Sequence, residues 1–466
     1  MTQQDTRIVR DSMGELRVPA GVLWGAGTQR AIGNFDIGGI AMPGAFIRAL
    51  GLVKWAAARA NAGLGELDAA LAAAIADAAL EVAEGRHDAQ FPVDVFQTGS
   101  GTSSNMNANE VIASLAERRL GRPVHPNDHV NRGQSSNDTV PTAIHVAASL
   151  GLTHQVLPAL EGLAEAVDRA VARVGHHVKT GRTHLMDALP VTLAQEFGAW
   201  RSQVLDCIER LHDCEPRLHR LAQGATAVGT GLNAHPDFGA TVARLLSERT
   251  GTGFVTAPDP FVALACQDTL VELSGQLRVT AVCLTKIADD LRWMNSGPLA
   301  GLGEITLPAL QPGSSIMPGK VNPVIPEAVA MAGAAVIGHD ASVAVAGQSG
   351  NFQLNVMLPL LAHALLSSET LVAGAARALA ERVFEGLEVR SDRLGAALSC
   401  NPVLVTALNP VIGYDRAAAI AKRAYAEGRP IVDVAAEETG MDRLELERLL
   451  DPARLAMRAA RAGEGS

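Results

Sequence analysis

The stretch Leu193–Leu221, LAQEFGAWRSQVLDCIERLHDCEPRLHRL, sets apolar side chains at Leu193, Phe197, Trp200, Val204, Cys207, Leu211, Cys214, Leu218 and Leu221. The steps alternate four and three, which keeps every one of them on a single face of an α-helix. A seam of that kind is heptad-like and calls for another helix packed along it. Pro216 lies inside the run and predicts a kink, because its ring removes a helical hydrogen bond. Leu270, Leu273, Leu277, Leu284, Ile287, Leu291 and Met294 repeat the spacing, with a polar Thr280 in the same row. A third long helical pattern begins after SSNDT, where Asp138 or Thr139 is positioned to cap it. A helix of about 30 residues spans roughly 45 Å. Helices of that length bury their seams against one another as a bundle. The expected class is therefore mainly α. The apolar positions spread beyond one narrow stripe, so burial against further copies of the chain is expected too.

Bulk properties agree with long, closely packed helices. The chain has 466 residues, of which 48% are hydrophobic and only 3% aromatic. Its length allows two or three domains. The division read from composition is residues 1–137, a central long-helix segment 138–390, and a small helical segment 391–466, with residues 1 to about 44 irregular. Net charge is −10 with no basic patch, which speaks against nucleic acid as a partner. Cys207, Cys214, Cys266, Cys283 and Cys400 form no CxxC pair, so no zinc site is expected. Scattered thiols fit a reducing compartment, and a cytoplasmic location is expected. The N-terminus has early acids and no apolar core, unlike a signal peptide. Ala341–Ser368 is the longest stretch without Asp, Glu, Lys or Arg, yet amides, Gly347 and Pro359 break it, so no membrane partner is expected.

Polar islands interrupt the helical patterns. QPGSSIMPGKVNPVIPE (Gln311–Glu327) is punctuated by Gly and Pro and reads as a loop. It carries Ser314, Ser315, Lys320, Asn322 and Glu327, the ingredients of a lid over an anionic substrate. Pro326 leads into an Ala-rich run and is tolerated in a first helical turn, which puts Glu327 near a helix N-terminus. FQTGSGTSSNMNANEVIA (Phe96–Ala113) supplies Ser100, Thr102, Ser103, Ser104, Asn105 and Asn107 as neutral donors. Such a cluster reads either as a carboxylate cradle or as a helix cap. Val124–His145 holds a first group, His125, Asn127 and Asp128, and a second, Ser135, Ser136 and Asn137. His125, Asp128 and His129 lack metal-ligand spacing. GRTHLMDALP (Gly181–Pro190) carries Thr183 and His184, and GTGLNAHPDF (Gly229–Phe238) follows the second long helix. In LWGAGTQRAIGNF (Leu23–Phe35), Thr28 and Arg30 read equally as anion contacts or as parts of a capped turn. GQSGNFQLNVMLP (Gly347–Pro359) adds further amides.

The segment GSSIMPGKVNP resembles the signature of the fumarase/aspartase superfamily, and the similarity extends from Leu23 to about Leu455. Within that superfamily His125, the SSND of Ser135–Asp138, Asn233-Ala234-His235-Pro236 and Gly413-Tyr414-Asp415 resemble class II fumarases. Val324-Ile325-Pro326 resembles the aspartase form instead, and Gly27 departs from the usual glutamine. The resemblance implies a three-domain, mainly α fold with a long central helix bundle. It implies a homotetramer whose sites each draw on three subunits, and it implies neither cofactor nor metal. The implied reaction is reversible hydration of fumarate to (S)-malate through a carbanion, with a small dicarboxylate as partner. By resemblance Ser314 is the base, Lys320 and Asn322 stabilise the carbanion, and His184 with Glu327 handles water. Ser100, Thr102, Ser135, Ser136, Asn137, Thr183 and Ser315 would hold the substrate, while His125, Asn127 and Asp128 match a second anion site. An aspartate ammonia-lyase and a catalytically silent structural protein are the alternatives.

Overall fold

The computed structural model of the chain describes residues 6–457. A hairpin of β1 (Thr6–Asp11) and β2 (Gly14–Pro19) comes first, in a region expected to be irregular. Its burial alternates residue by residue, as a two-stranded ribbon with one covered face must. Helices α1 (Ala26–Asn34), α2 (Gly44–Gly63), α3 (Ala69–Ala83), α4 (Thr102–Leu120), α5 (Ser136–Gly151) and α6 (Leu157–Val174) follow. A second hairpin, β3 (Val178–Thr183) and β4 (Met186–Thr192), occupies the polar island around His184. Then come α7 (Leu193–Leu218), α8 (Phe238–Thr250), α9 (Pro260–Ala265), α10 (Asp268–Met294), α11 (Val324–Gly347) and α12 (Leu358–Arg382). Short helices α13 (Ser391–Ser399), α14 (Asn409–Ile412), α15 (Tyr414–Glu427), α16 (Ile431–Thr439), α17 (Arg443–Leu449) and α18 (Pro452–Met457) end the described chain.

All nine seam positions of Leu193–Leu221 are buried, and so are all seven of the α10 row. Each fully buried Leu, Ile, Val or Phe is worth about 1.5–3 kcal/mol relative to exposure, so these rows carry much of the fold's stability. Thr280 sits in the α10 row because its hydroxyl donates to the Gln276 carbonyl at 2.9 Å and needs no other partner. Pro216 falls inside α7, as its sequence position predicts. It lies in the last turn, where few hydrogen bonds remain to be lost, and the helix stops at Leu218.

Contacts divide the described residues into two compact units. The first draws on residues 6–158, 207–281 and 332–374. In it α2 packs against α3, α4, α5 and α8. Gly51 lets α2 and α3 touch backbone to backbone, since a Cβ there would stand 2.6 Å from the Ala83 nitrogen. The second unit draws on residues 159–206, 282–331 and 375–457. There Trp200 stacks on Phe197 at 4.9 Å and meets Phe384 edge-on. The C-terminal helices close on their own apolar cluster, which includes Leu408, Ile420, Val434 and Leu446.

By length and hydropathy alone, Ser136–Val174, Val324–Gly347 and Leu358–Gly386 each suffice to cross a bilayer. The first and third are 67% buried within the chain over their most apolar windows, so their apolar surface already faces protein. The second, α11, is only 28% buried. Ala341–Ser368, the longest uncharged stretch, belongs to two helices and the turn between them.

Candidate active site

In the second unit the loop before α11 is tied by its own backbone. Gly313 N–H donates to the Lys320 carbonyl at 2.9 Å, and Lys320 N–H donates to the Met317 carbonyl at 3.2 Å. Only glycine fits at 313, because a Cβ would come within 2.2 Å of the Lys320 oxygen. That closure folds the chain over Ser314. The Ser314 hydroxyl oxygen accepts the N–H of Ile316 at 3.2 Å and of Met317 at 3.0 Å. Two backbone dipoles therefore point at one side-chain oxygen and favour negative charge on it. Ser315 is exposed beside it. The Lys320 ammonium donates to Asn322 Oδ1 at 2.7 Å, and Asn322 Nδ2 donates to the Gly313 carbonyl at 2.7 Å. Lys320 thus rests on Asn322 and not on Ser314. Glu327 lies in the first turn of α11, as its sequence position predicts. Lys320, Asn322 and Glu327 line a cleft of about 1040 Å³ together with Asp289, Arg292 and Arg390.

The other half of the expected chemistry in this unit sits on the β3–β4 hairpin. Thr183 ends β3 opposite Met186, leaving His184 and Leu185 as a two-residue turn. Their φ values are 56° and 61°. A tight hairpin turn needs positive φ at both central residues, and Asn-Gly is the usual occupant. A His-Leu pair there is strained, and strain of this kind gathers where a side chain is held for a task. Thr183 and His184 are both exposed. Among the described residues, His184 and Glu327 make no hydrogen bond or ion pair with each other within the chain.

A buried clamp fixes β3 of that hairpin along its length. Glu304 receives Arg182 at 2.7 Å on one oxygen and Lys179 at 2.8 Å on the other. Lys179 is itself buried and also meets Glu196 at 2.9 Å. Both cations lie on β3, and Arg182 directly precedes Thr183. Removing one partner of a buried charge set leaves the others unpaired in low dielectric, which usually costs several kcal/mol. Glu304→Gln is therefore expected to lose about 3 kcal/mol of stability, read as a shift in the urea midpoint.

The first unit holds the remaining candidates. Ser100 is buried, and its hydroxyl lies 2.7 Å from that of Thr102 at the start of α4. Most of the neighbouring polar groups are spent inside the chain. Ser104 donates to Gln97 Oε1, Asn107 donates to the Gln90 carbonyl, and the Ser103 and Thr98 hydroxyls pair. Ser135, not Asp138 or Thr139, is the N-cap of α5, with Asp138 as the reciprocal acceptor of a capping box. Asn137 donates to the Ala227 carbonyl at 2.8 Å. Ser136 Oγ accepts from Asn105 Nδ2 at 2.9 Å, which leaves its own proton free to donate. The N-terminus of α5 thus gathers hydroxyls and helix N–H groups, an arrangement suited to a carboxylate.

His125, Asn127 and Asp128 share one turn. His125 Nδ1 accepts the Asp128 N–H at 3.1 Å and stands 3.2 Å from the Asp128 carboxylate. The turn is exposed. Thr28 and Arg30 prove structural. Thr28 is buried and donates to Glu110 at 2.6 Å, and Arg30 pairs with Asp11 at 2.8 Å.

A family model described as lyase matches residues 14–338, and one described as fumarase C C-terminus matches residues 404–457. The fold and the loop chemistry therefore define a member of the lyase family. Fumarate hydratase class II of Xylella fastidiosa (strain Temecula1) is 61% identical over 96% of this chain and 95% of its own length. The Thermus thermophilus counterpart is 51% identical over 97% of this chain and 98% of its own. The crystal structure of a class II fumarase from Schistosoma mansoni superposes with a TM-score of 0.93 at 35% identity, covering 97% of this chain and 99% of that one. The chain belongs to the class II fumarate hydratase family.

Proposed function

We infer that this chain interconverts fumarate and (S)-malate by anti addition and removal of water, as a hydro-lyase of the tricarboxylic acid cycle. The observation that carries the residue assignment is the pair of backbone N–H groups on Ser314 Oγ. From malate, the Ser314 alkoxide takes a proton from the carbon next to one carboxylate. The electron pair spreads into that carboxylate, and fixed donors aimed at its oxygens are the largest available aid. Lys320 and Asn322 serve there. The bond to the hydroxyl on the neighbouring carbon then breaks on the opposite face, and protonated His184, paired with Glu327, gives the leaving oxygen a proton so that it departs as water. A His–carboxylate pair fixes the imidazole tautomer for such work. Ser100, Thr102, Ser135, Ser136, Asn137, Thr183 and Ser315 hold the two carboxylates, and His125, Asn127 and Asp128 form an outer anion site. No nucleic acid or membrane takes part, and the setting is cytoplasmic.

A homotetramer with sites shared among three subunits completes this reading. It is supported by the surface of α11, and it would let His184 and Glu327, which make no hydrogen bond or ion pair with each other among the described residues, meet across subunits. Ala328, Met331, Ala334, Ala335, Ile337, Gly338, Ala341, Ala344 and Val345 are all exposed and none is charged. Small and apolar residues along one helical face suit close packing with another helix. Met331→Glu is expected to shift the assembly to smaller species in light scattering and to lower activity with it. An unchanged mass would remove α11 from the interface.

The test of the activity is ultraviolet absorbance of fumarate over time in separate reactions with malate and with aspartate. Fumarate from malate without added metal is expected. Fumarate from aspartate alone would make the chain an ammonia-lyase.

A further inference from the structure

Lys54 stands near the middle of α2, an Ala-rich helix, and its side chain is completely buried. An ammonium out of water normally needs a carboxylate in contact. Here both hydrogen-bond partners are neutral. Lys54 Nζ donates to Asn131 Oδ1 at 2.9 Å and to Gln134 Oε1 at 3.0 Å. Asn131 Oδ1 is a hub, since it also accepts from Asn105 Nδ2 at 3.2 Å and from Asn109 Nδ2 at 3.1 Å. Asn105 Nδ2 is shared with Ser136 Oγ at 2.9 Å. A chain of hydrogen bonds thus runs from a buried cation to the serine at the mouth of α5.

The charge in this network is only partly balanced. Asp138 is a counter-charge acting on Lys54, and it is occupied by the N–H groups of Ser135 at 2.9 Å, Gly224 at 3.0 Å and Thr226 at 2.9 Å. Burial pulls the Lys54 ammonium down to about 7, while Asp138 opposes that pull. An anion bound at the Ser136 hydroxyl would complete the balance. The direction of the chain matters as well. Because Asn105 gives its N–H to Ser136 Oγ, the serine hydrogen stays available to donate to a further acceptor.

We propose that Lys54 is a positioning residue for substrate binding, holding Asn131, Asn105 and Ser136 so that the Ser136 hydroxyl donates to a substrate carboxylate with positive charge behind it. This rests on the reading of Ser135–Asn137 as a carboxylate cradle. The proposal assigns Lys54 to affinity, not to proton transfer.

The test compares Lys54→Met, Asn105→Ala and Ser136→Ala in the full-length protein, reading KM and kcat for fumarate and the inhibition constant of succinate, a dicarboxylate with no reacting double bond. All three are expected to raise KM and the succinate constant by about 10- to 100-fold, the worth of hydrogen bonding tied to a charged group, with kcat changed less than either. A purely structural Lys54 would instead reduce the active fraction, lowering kcat at constant KM and constant succinate affinity, and that result overturns the proposal. Should Lys54→Met fail to fold, Asn105→Ala reads the same chain. If Ser136→Ala weakens succinate and neither of the other two does, Lys54 and its chain have no role. If Ser136→Ala itself leaves succinate unaffected, the cradle reading falls first and the proposal with it.

Discussion

Ser314→Ala is expected to lower kcat by about 10³, within the usual 10²–10⁴ for a positioned proton-transfer group, while fumarate still binds. A serine hydroxyl is a poor base at neutral pH, so the effect depends on what stabilises its oxygen. The loop supplies the N–H groups of Ile316 and Met317 at 3.2 and 3.0 Å. Gly313 makes that geometry possible by letting the Lys320 carbonyl approach. Alanine removes the oxygen and, with it, the acceptor of two N–H groups that water can satisfy on the exposed residues Ile316 and Met317, so the loss should appear chiefly in kcat and little in the thermal midpoint. Near-normal turnover by Ser314→Ala would move the base elsewhere. Lys320 donates to Asn322 Oδ1, so the role proposed for Lys320 at the carbanion requires it to exchange Asn322 for a substrate carboxylate.

His184→Asn and Glu327→Gln form the second large expectation. Each should cost about 10²–10⁴ in kcat, as positioned acid–base groups do. If they act as one unit on the water face, the double variant loses little more than the worse single variant, because the second change removes a group already disabled. Losses that multiply would show two independent roles. The variants separate assembly from chemistry as well. His184→Asn leaves the α11 surface intact, so its mass in light scattering should match the parent.

The parts of this architecture that follow a period are legible in the sequence. The four-and-three spacing of Leu193–Leu221 and the row from Leu270 to Met294 are buried position by position. What escapes has identifiable causes. The hairpin that carries His184 has a bulge between Thr180 and Arg182, which breaks the alternation that marks a strand. Its turn is His-Leu, without the glycine or asparagine that announces one. The N-cap of α5 reads from sequence as Asp138 or Thr139, while Ser135 takes it and Asp138 answers from the third position. Thr28 and Arg30 give no local sign that Glu110 and Asp11 claim them. Lys54 is the clearest omission. One lysine in GLVKWAAARA reads as a solvated cation, and only the tertiary fold reveals the amides that surround it.

The bare face of α11 bears on how the chain is made. A newly released chain displays Met331, Ile337 and Val345 to solvent until something covers them. Covering by another copy is a second-order event, whereas adhesion to any other apolar surface competes at every moment of the wait. Slow synthesis lengthens the wait and dense expression shortens it. The same helix that carries Glu327 in its first turn thus makes the lone chain sticky along its length. Yield of active protein should therefore be governed by how soon copies meet as much as by how well each one folds.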